Sequence, residues 1–371
     1  MSEAKKTPLY EQHAAAKGNF IDYGGWFLPV TYQGIVEEVL HTRKKVSLFD
    51  ASHMGEILVE GQKAEEFLQG VLTNDLSVLK NNGVMYSPIC YPHGGTVDDI
   101  LVYRYAQDRF LLVTNAVNTE KDYNFLKERY PESVVLEDLS AEFALIAIQG
   151  PLSLEILKKT MTEDVLPSSI RRYNFLPDVK IAGIKCLLSR TGYTGEDGFE
   201  ILCSPNEAAS LWEALIAAGR SDDGLDVQPA GLGARDLLRL EASLPLYGQE
   251  LSPEISPLQA GLDRFVALEK KIAFTGQDAL LKQKEEGLKK RLVGLVMLER
   301  GIPRSGYIIK KNQQDIGWIS SGTFSPTLQK ALGLAFVDSD KAEKGTEVKV
   351  VIRNKEYPAR IEKLPFYRRE S

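Results

Sequence analysis

Apolar and polar positions alternate along this chain in two different rhythms. Ile35, Val36, Val39, Leu40 and Val46 recur among charges at helical spacing over residues 34–46, and EILVE (56–60) then alternates as a strand does. The pattern continues with a helix at about 63–72, strands at 83–90, 97–104 and 109–114, a helix at about 117–130 and a strand around Val134–Leu136. That order of strand, helix, paired strands, helix and strand predicts a ferredoxin-like, split βαβ layer. A strand at 142–149 follows, and Gly150 and Pro151 turn the chain into a helix with proline at its favoured first position. A hairpin is expected at about 179–190, and helices at about 205–219 and 230–242. Residues 7–27 read as an irregular segment pinned to a core by Trp26 and Phe27.

After a charged helical stretch (277–286) the rhythm changes. RLVGLVML, SGYIIK, DIGWISSG, ALGLAFV, TEVKVVI and YPARIEKL are short strand-like runs divided by turn residues, which predicts a small β-barrel or sandwich. The expected class is α+β, with domains at 1–284 and 285–371 and a subdomain at about 52–140 within the first.

Composition narrows the function without naming it. The 371 residues are 43% hydrophobic and 26% charged, as in ordinary soluble proteins, and the net charge of −6 argues against general nucleic-acid binding. Cys90, Cys186 and Cys203 lie far apart in apolar surroundings and read as reduced core residues. No C-x-x-C or H-E-x-x-H occurs, so no zinc site is expected. The start, MSEAKKTPLYEQH, has neither the apolar core of a signal peptide nor an Arg-rich transit segment, which points to a cytoplasmic, bacterial-type protein. No run is long enough to span a membrane.

Candidate chemistry gathers in a few stretches. In PHGGTVDDILVYR (92–104) a Gly-Gly turn is followed by Asp98 and Asp99 at the mouth of an apolar strand. Either both acids cap the turn, or one of them receives something charged. Alternation along a strand puts Asp99 on the face of Leu101 and Tyr103, and Asp98 with Ile100 and Val102, where it is expected to accept N–H bonds from the Gly94–Gly95 turn. RTGYTGEDGFE (190–200) lacks the ending and spacing of a phosphate loop, and its acids would repel phosphate. It is either a connector whose acids face water, or a loop that offers a carboxylate to an amidine-like edge such as that of a pterin or guanine. GLGARDLLRLEA (231–242) reads as a helix carrying Arg235 and Arg239 one turn apart. His53 has no acid–base partner nearby in sequence and reads as a core or turn histidine.

Taken together and in order, TPLYEQH, LFDASHMGE, GGTVDDILVY, IQGP, SRTGYTGEDGFEI, GLGARDLLRLEA, LYGQE, ISSGTFSPTL and PFYR resemble the T-protein family of the glycine cleavage system, the aminomethyltransferases, from about residue 7 to 369. The resemblance implies an intertwined folate-binding region and a C-terminal barrel, as three lobes around a central hole that receives folate. It implies transfer of an aminomethyl group from the lipoyl arm of H-protein to tetrahydrofolate, a co-substrate, with release of ammonia and no metal or flavin. Carried over by motif, Asp99 is the catalytic acid, Glu200 binds the pterin and Arg235 is the active-site arginine. Met54, Tyr86, Tyr103, Asn115, Tyr193 and Arg368 stand at further folate positions. The expected partner is lipoylated H-protein, not nucleic acid or membrane, with Lys289, Lys290, Arg291, Arg368 and Arg369 as basic candidates for docking. The same fold in sarcosine and dimethylglycine dehydrogenases accompanies a flavin domain that this chain lacks. The alternative is a non-catalytic folate-binding protein linked to RNA modification or iron–sulfur assembly.

Overall fold

A computed structural model describes residues 4–161, 167–220 and 224–369. They cluster into two compact units. One comprises the chain up to Leu68, Leu76–Tyr86 and Ile100–Asp236; the other comprises Gln69–Asp75, Ser87–Asp99 and the chain from Leu237 onward.

The first unit is built on a six-stranded sheet in the order Phe175–Ile181, Ile184–Ser189, Gly198–Cys203, Ala144–Gln149, Val46–Asp50, Val227–Pro229. Its central strand ALIAIQ is buried at every position, which explains an apolar run without alternation. Ile146, Ile148 and Ile201 face the helices Ser153–Thr160 and Ala208–Ala218, whose Ile156, Leu211 and Leu215 close that side. Leu145, Leu187 and Leu202 point the other way and pack with Val84, Tyr103, Leu111 and Val113.

Those last residues belong to a five-stranded sheet ordered Gly83–Cys90, Thr96–Ala106, Arg109–Thr114, Gly55–Glu60, Val135–Asp138. All five strands expected between residues 56 and 136 are present, one more than the four of a split βαβ layer. Arg109–Thr114 lies between Gly55–Glu60 and Thr96–Ala106 and pairs antiparallel with both, where a split βαβ layer would have set those two parallel and adjacent.

Three local expectations change. The N-terminal segment is not irregular: Asn19–Tyr23 and Trp26–Thr31 form a hairpin through Gly24 and Gly25, both at positive φ. The helix expected over 34–46 stops at Lys44, and VSLFD (46–50) becomes a fully buried strand. Pro151 lies in a turn, and the helix after it begins at Ser153, so proline does not occupy its first position.

In the second unit the six expected strands close into a barrel: Lys290–Met297, Lys330–Asp338, Gln314–Ser325, Ile308–Lys311, Glu347–Ile352, Lys355–Glu362. Val293, Leu295, Ile309, Ile319, Val350 and Ile361 fill its interior, and closure leaves no free edge. Among the described residues no helix is long and apolar enough to cross a membrane.

Candidate active site

The loop 190–197 lies over the strand Ala144–Gln149, and the IQGP segment explains why. Gln149 Nε2 donates to the carbonyls of Thr191 and Phe199, both at 3.2 Å, and Thr194 Oγ1 donates to Gln149 Oε1 at 2.8 Å. A Cβ on Gly192 would come within 2.1 Å of that Oε1, so a side chain there would push the loop off its support.

Two of the loop's three acids are committed to the scaffold. Glu196 pairs with Arg43 at 2.8 Å in a buried ion pair, and the same Nη1 donates to the Thr194 carbonyl. Asp197 takes a two-point pair from Arg190, at 3.1 and 2.6 Å. The reading of these acids as solvent-facing is therefore corrected.

Glu200 is different. It follows on the strand Gly198–Cys203, shares the face of Leu202, and is only 7% exposed. Thr191 Oγ1 donates to its Oε2, and no cation lies within ion-pair distance of it among the described residues. Burial raises its pKa above the ordinary value, opposed by the Thr191 hydrogen bond and the charge of Arg235.

A chain of hydroxyls runs behind that carboxylate. Thr191 Oγ1 bonds Ser189 Oγ, which lies 3.1 Å from the hydroxyl of Tyr103. Tyr103 is fully buried, edge-on to Phe175, and its hydroxyl pKa is raised by burial and by Glu200. Tyr103, expected at a folate position, is instead fully enclosed and braces Glu200 from inside through Ser189 and Thr191. Met54 is half-buried against the same apolar cluster as Tyr103, and Tyr86 and Asn115 are half-buried in the same unit.

Arg235 rises from the first turn of the helix Leu232–Glu241. The helix entrance is set by Glu38, whose Oε2 accepts the Gly231 amide at 2.8 Å while Oε1 accepts those of Tyr32 and Gln33. A carboxylate there favours the positive end of the helix dipole. The half-buried guanidinium of Arg235 lies 4.7 Å from the ring of Tyr193, and among the described residues it has no hydrogen-bond or ion-pair partner.

With Asp50, Phe49, Leu28 and Gly231, Arg235 lines a cavity of about 10 Å³, room for roughly one water. Asp50 is itself saturated: Thr7 Oγ1 (2.6 Å) and His13 Nε2 (2.8 Å) meet its Oδ2, and the Ser52 amide donates to its Oδ1 (2.9 Å). Burial alone would raise the Asp50 pKa, but the bonds from His13, Thr7 and Ser52 together hold it below the ordinary value. The TPLYEQH segment is thereby tied to LFDASHM. His53, in the same segment, is buried in a turn, in keeping with its reading as a core or turn histidine.

The second unit holds the acid pair. Gly94 is at φ +89°, its amide donates to the Tyr91 carbonyl at 2.9 Å, and a Cβ on Gly95 would fall 1.7 Å from the Pro253 carbonyl oxygen. The Gly94 amide is thus spent on Tyr91, not on Asp98 as expected. Asp98 is fully buried and Asp99 is half-buried, as alternation along Thr96–Ala106 requires.

The LYGQE and ISSGTFSP segments, by contrast, form a closed network. Arg239 Nη1 meets Glu250 Oε2 and Nη2 meets Ser321 Oγ, both at 2.8 Å, and Ser320 Oγ donates to Glu250 Oε1. Ser325 Oγ donates to Glu241, whose carbonyl accepts the Tyr367 amide at 2.8 Å. Arg368, next along, is exposed. Of the basic docking candidates, Lys290 is bound to Asp338 at 2.6 Å and to the Ile316 carbonyl, whereas Lys289 and Arg291 are exposed.

Comparisons with known proteins agree over the whole chain. Residues 9–270 match the GCVT N-terminal domain, and residues 290–368 match the glycine cleavage T-protein C-terminal barrel domain. An aminomethyltransferase of Natranaerobius thermophilus is 52% identical over 369 residues, covering 100% of both chains. One from Thermoanaerobacter sp. is 50% identical over 370 residues, covering 100% of this chain and 99% of its own. The crystal structure of glycine cleavage system aminomethyltransferase T from Bartonella henselae superposes with a TM-score of 0.89 at 34% identity, over 98% of each chain. The chain therefore belongs to the glycine cleavage T-protein family and is an aminomethyltransferase.

Proposed function

We propose that this aminomethyltransferase takes the aminomethyl group from the lipoyl arm of H-protein, passes its methylene to tetrahydrofolate and releases ammonia. The observation that carries this reading is Glu200, a buried carboxylate that among the described residues has only a hydroxyl donor, near the charge of an arginine that among those residues has no acid of its own. A carboxylate so placed fits the paired N–H donors of a pterin, and bidentate charge-assisted bonds of that kind are strong. Tyr193, held under Arg235, offers an aromatic face to a flat ligand. Met54, Tyr86, Asn115 and Arg368 complete the folate residues in this reading, and Tyr103 acts through Ser189 and Thr191.

The chemistry is redox-neutral, since the aminomethyl carbon and the methylene bridge of 5,10-methylenetetrahydrofolate are at the same oxidation level. Ammonia leaves as the C–N bond breaks, and nitrogen 5 of the folate attacks the carbon and gives up its own proton, which is the one the sulfur later takes. The C–S bond then breaks and the thiolate takes a proton, which regenerates the dihydrolipoyl arm. Nitrogen 10 closes the ring and loses its proton. Asp99 stabilises the cationic iminium-like carbon and receives or orients the nitrogen 10 proton, while positioning of the two substrates supplies much of the rate.

The test is ammonia release from aminomethylated H-protein. Tetrahydrofolate is expected to accelerate release, with one methylenetetrahydrofolate formed per ammonia. A rate indifferent to folate overturns the proposal. A chain that binds folate without accelerating transfer favours a folate-binding role instead.

A further inference from the structure

The turn between the strands Val46–Asp50 and Gly55–Glu60 is closed by the Met54 amide, which donates to the Ala51 carbonyl at 3.0 Å. Inside that turn sits His53, 4% exposed. Its Nδ1 is buried and has no hydrogen-bond partner among the described residues. Native proteins seldom leave such an atom unpaired, and each instance calls for a water, a ligand or a function.

Its surroundings separate these explanations. The ring of Tyr23, at the tip of the N-terminal hairpin, meets the imidazole edge-on at 5.9 Å. The helix Leu232–Glu241 brings the positive charge of Arg235, and the strand before the turn brings Asp50, already saturated by Thr7, His13 and Ser52. Burial first, and then Arg235 outweighing Asp50, lowers the His53 pKa to about 4. At neutral pH the ring is uncharged, with one N–H donor and one lone-pair acceptor. A neutral imidazole flanked by Met54 and by an arginine that has no acid partner among the described residues is suited to a ligand that carries both donors and acceptors.

We infer that His53 is a ligand-binding residue of the folate site, exchanging a hydrogen bond between its imidazole and a polar atom of bound tetrahydrofolate. This rests on the folate reading above. The competing explanation is a core histidine whose Nδ1 holds a permanent buried water.

The two differ in what folate does to the ring. The protein has four histidines, His13, His41, His53 and His93, so ring-nitrogen resonances of ¹⁵N-histidine-labelled full-length protein are few enough to assign with a His53→Asn variant. Tetrahydrofolate is expected to move the His53 ring-nitrogen resonances. In calorimetry, His53→Phe is expected to weaken tetrahydrofolate about tenfold, the scale of one lost hydrogen bond, with the free protein as stable as wild type. His53→Asn keeps a polar atom near the Nδ1 position and retains most of the affinity. His53 resonances that ignore folate, or a folded His53→Phe protein with unchanged affinity, overturn the inference while wild-type binding leaves the folate reading standing. A wild-type chain that binds no tetrahydrofolate overturns both.

Discussion

Arg235 and Arg239 stand one turn apart on a single helix and live in opposite electrostatic circumstances. Arg239 is 2% exposed and fully occupied by Glu250, Ser321 and, more distantly, the Leu244 carbonyl. Arg235 is half-buried, rests on Tyr193, and among the described residues has no acid or carbonyl of its own. The carboxylates divide in the same way: Glu250, Glu196 and Asp197 each hold an arginine, whereas Glu200 among the described residues holds only Thr191. A saturated polar network fixes geometry and has nothing left to offer a ligand. Groups that are buried but not saturated carry a desolvation cost that a ligand can relieve.

The largest effect expected from this contrast is structural. Arg239→Met strands Glu250 as a buried, unpaired acid, and denaturant unfolding should show a loss of about 3–5 kcal/mol. A loss under about 1 kcal/mol would mean that the closed network does not brace the fold.

Next comes chemistry. Asp99→Asn is expected to lower kcat by roughly two orders of magnitude with tetrahydrofolate binding intact, as for loss of one positioned acid–base group. Asp98→Asn, at a fully buried position on the opposite face, should instead cost on the order of 1 kcal/mol of stability. Steady-state kinetics that reversed the two would break the parity assignment.

Glu200→Gln should weaken tetrahydrofolate by about tenfold or more. The pH dependence sharpens this. Burial raises the Glu200 pKa in the free protein, so the folded state loses stability as pH rises from the ordinary glutamate value through the raised one. Bound N–H donors favour the carboxylate, so affinity should climb with pH across that window, with proton release on binding, and level off above it. Calorimetry in buffers of different ionisation enthalpy measures the proton, and Glu200→Gln should abolish it.

The smallest effect concerns docking. If Lys289 and Arg291 steer an acidic carrier, the KM for H-protein should rise several-fold between low and physiological salt, with folate affinity nearly constant. A salt-independent KM points to an apolar interface.

Much of the fold was legible because its elements obey local rules. The barrel strands alternate, the central strand 144–149 is uniformly apolar because both its faces are covered, and Asp98 and Asp99 separate by the pleat alone. What escaped depends on distant partners. Nothing near Glu196 announces Arg43, which is 153 positions away, yet that pair decides which acid of the loop is left uncommitted. The strand face of Tyr103 was legible from alternation, but the second sheet that buries it was not. Lys290 looked available until Asp338, across the barrel sheet, was seen to take it. The N-terminal hairpin was hidden by aromatic residues that suit a core and a strand equally well.

One experiment bears on the contrast most directly: titration of tetrahydrofolate into Arg235→Met, with thermal unfolding of the free variant recorded on the same sample. Because Arg235 braces nothing through a hydrogen bond or ion pair among the described residues, the free variant should unfold within about 0.5 kcal/mol of wild type while binding folate at least about tenfold more weakly. A variant that loses several kcal/mol of stability yet binds tetrahydrofolate as wild type does would contradict the account, by making Arg235 a scaffold residue like Arg239.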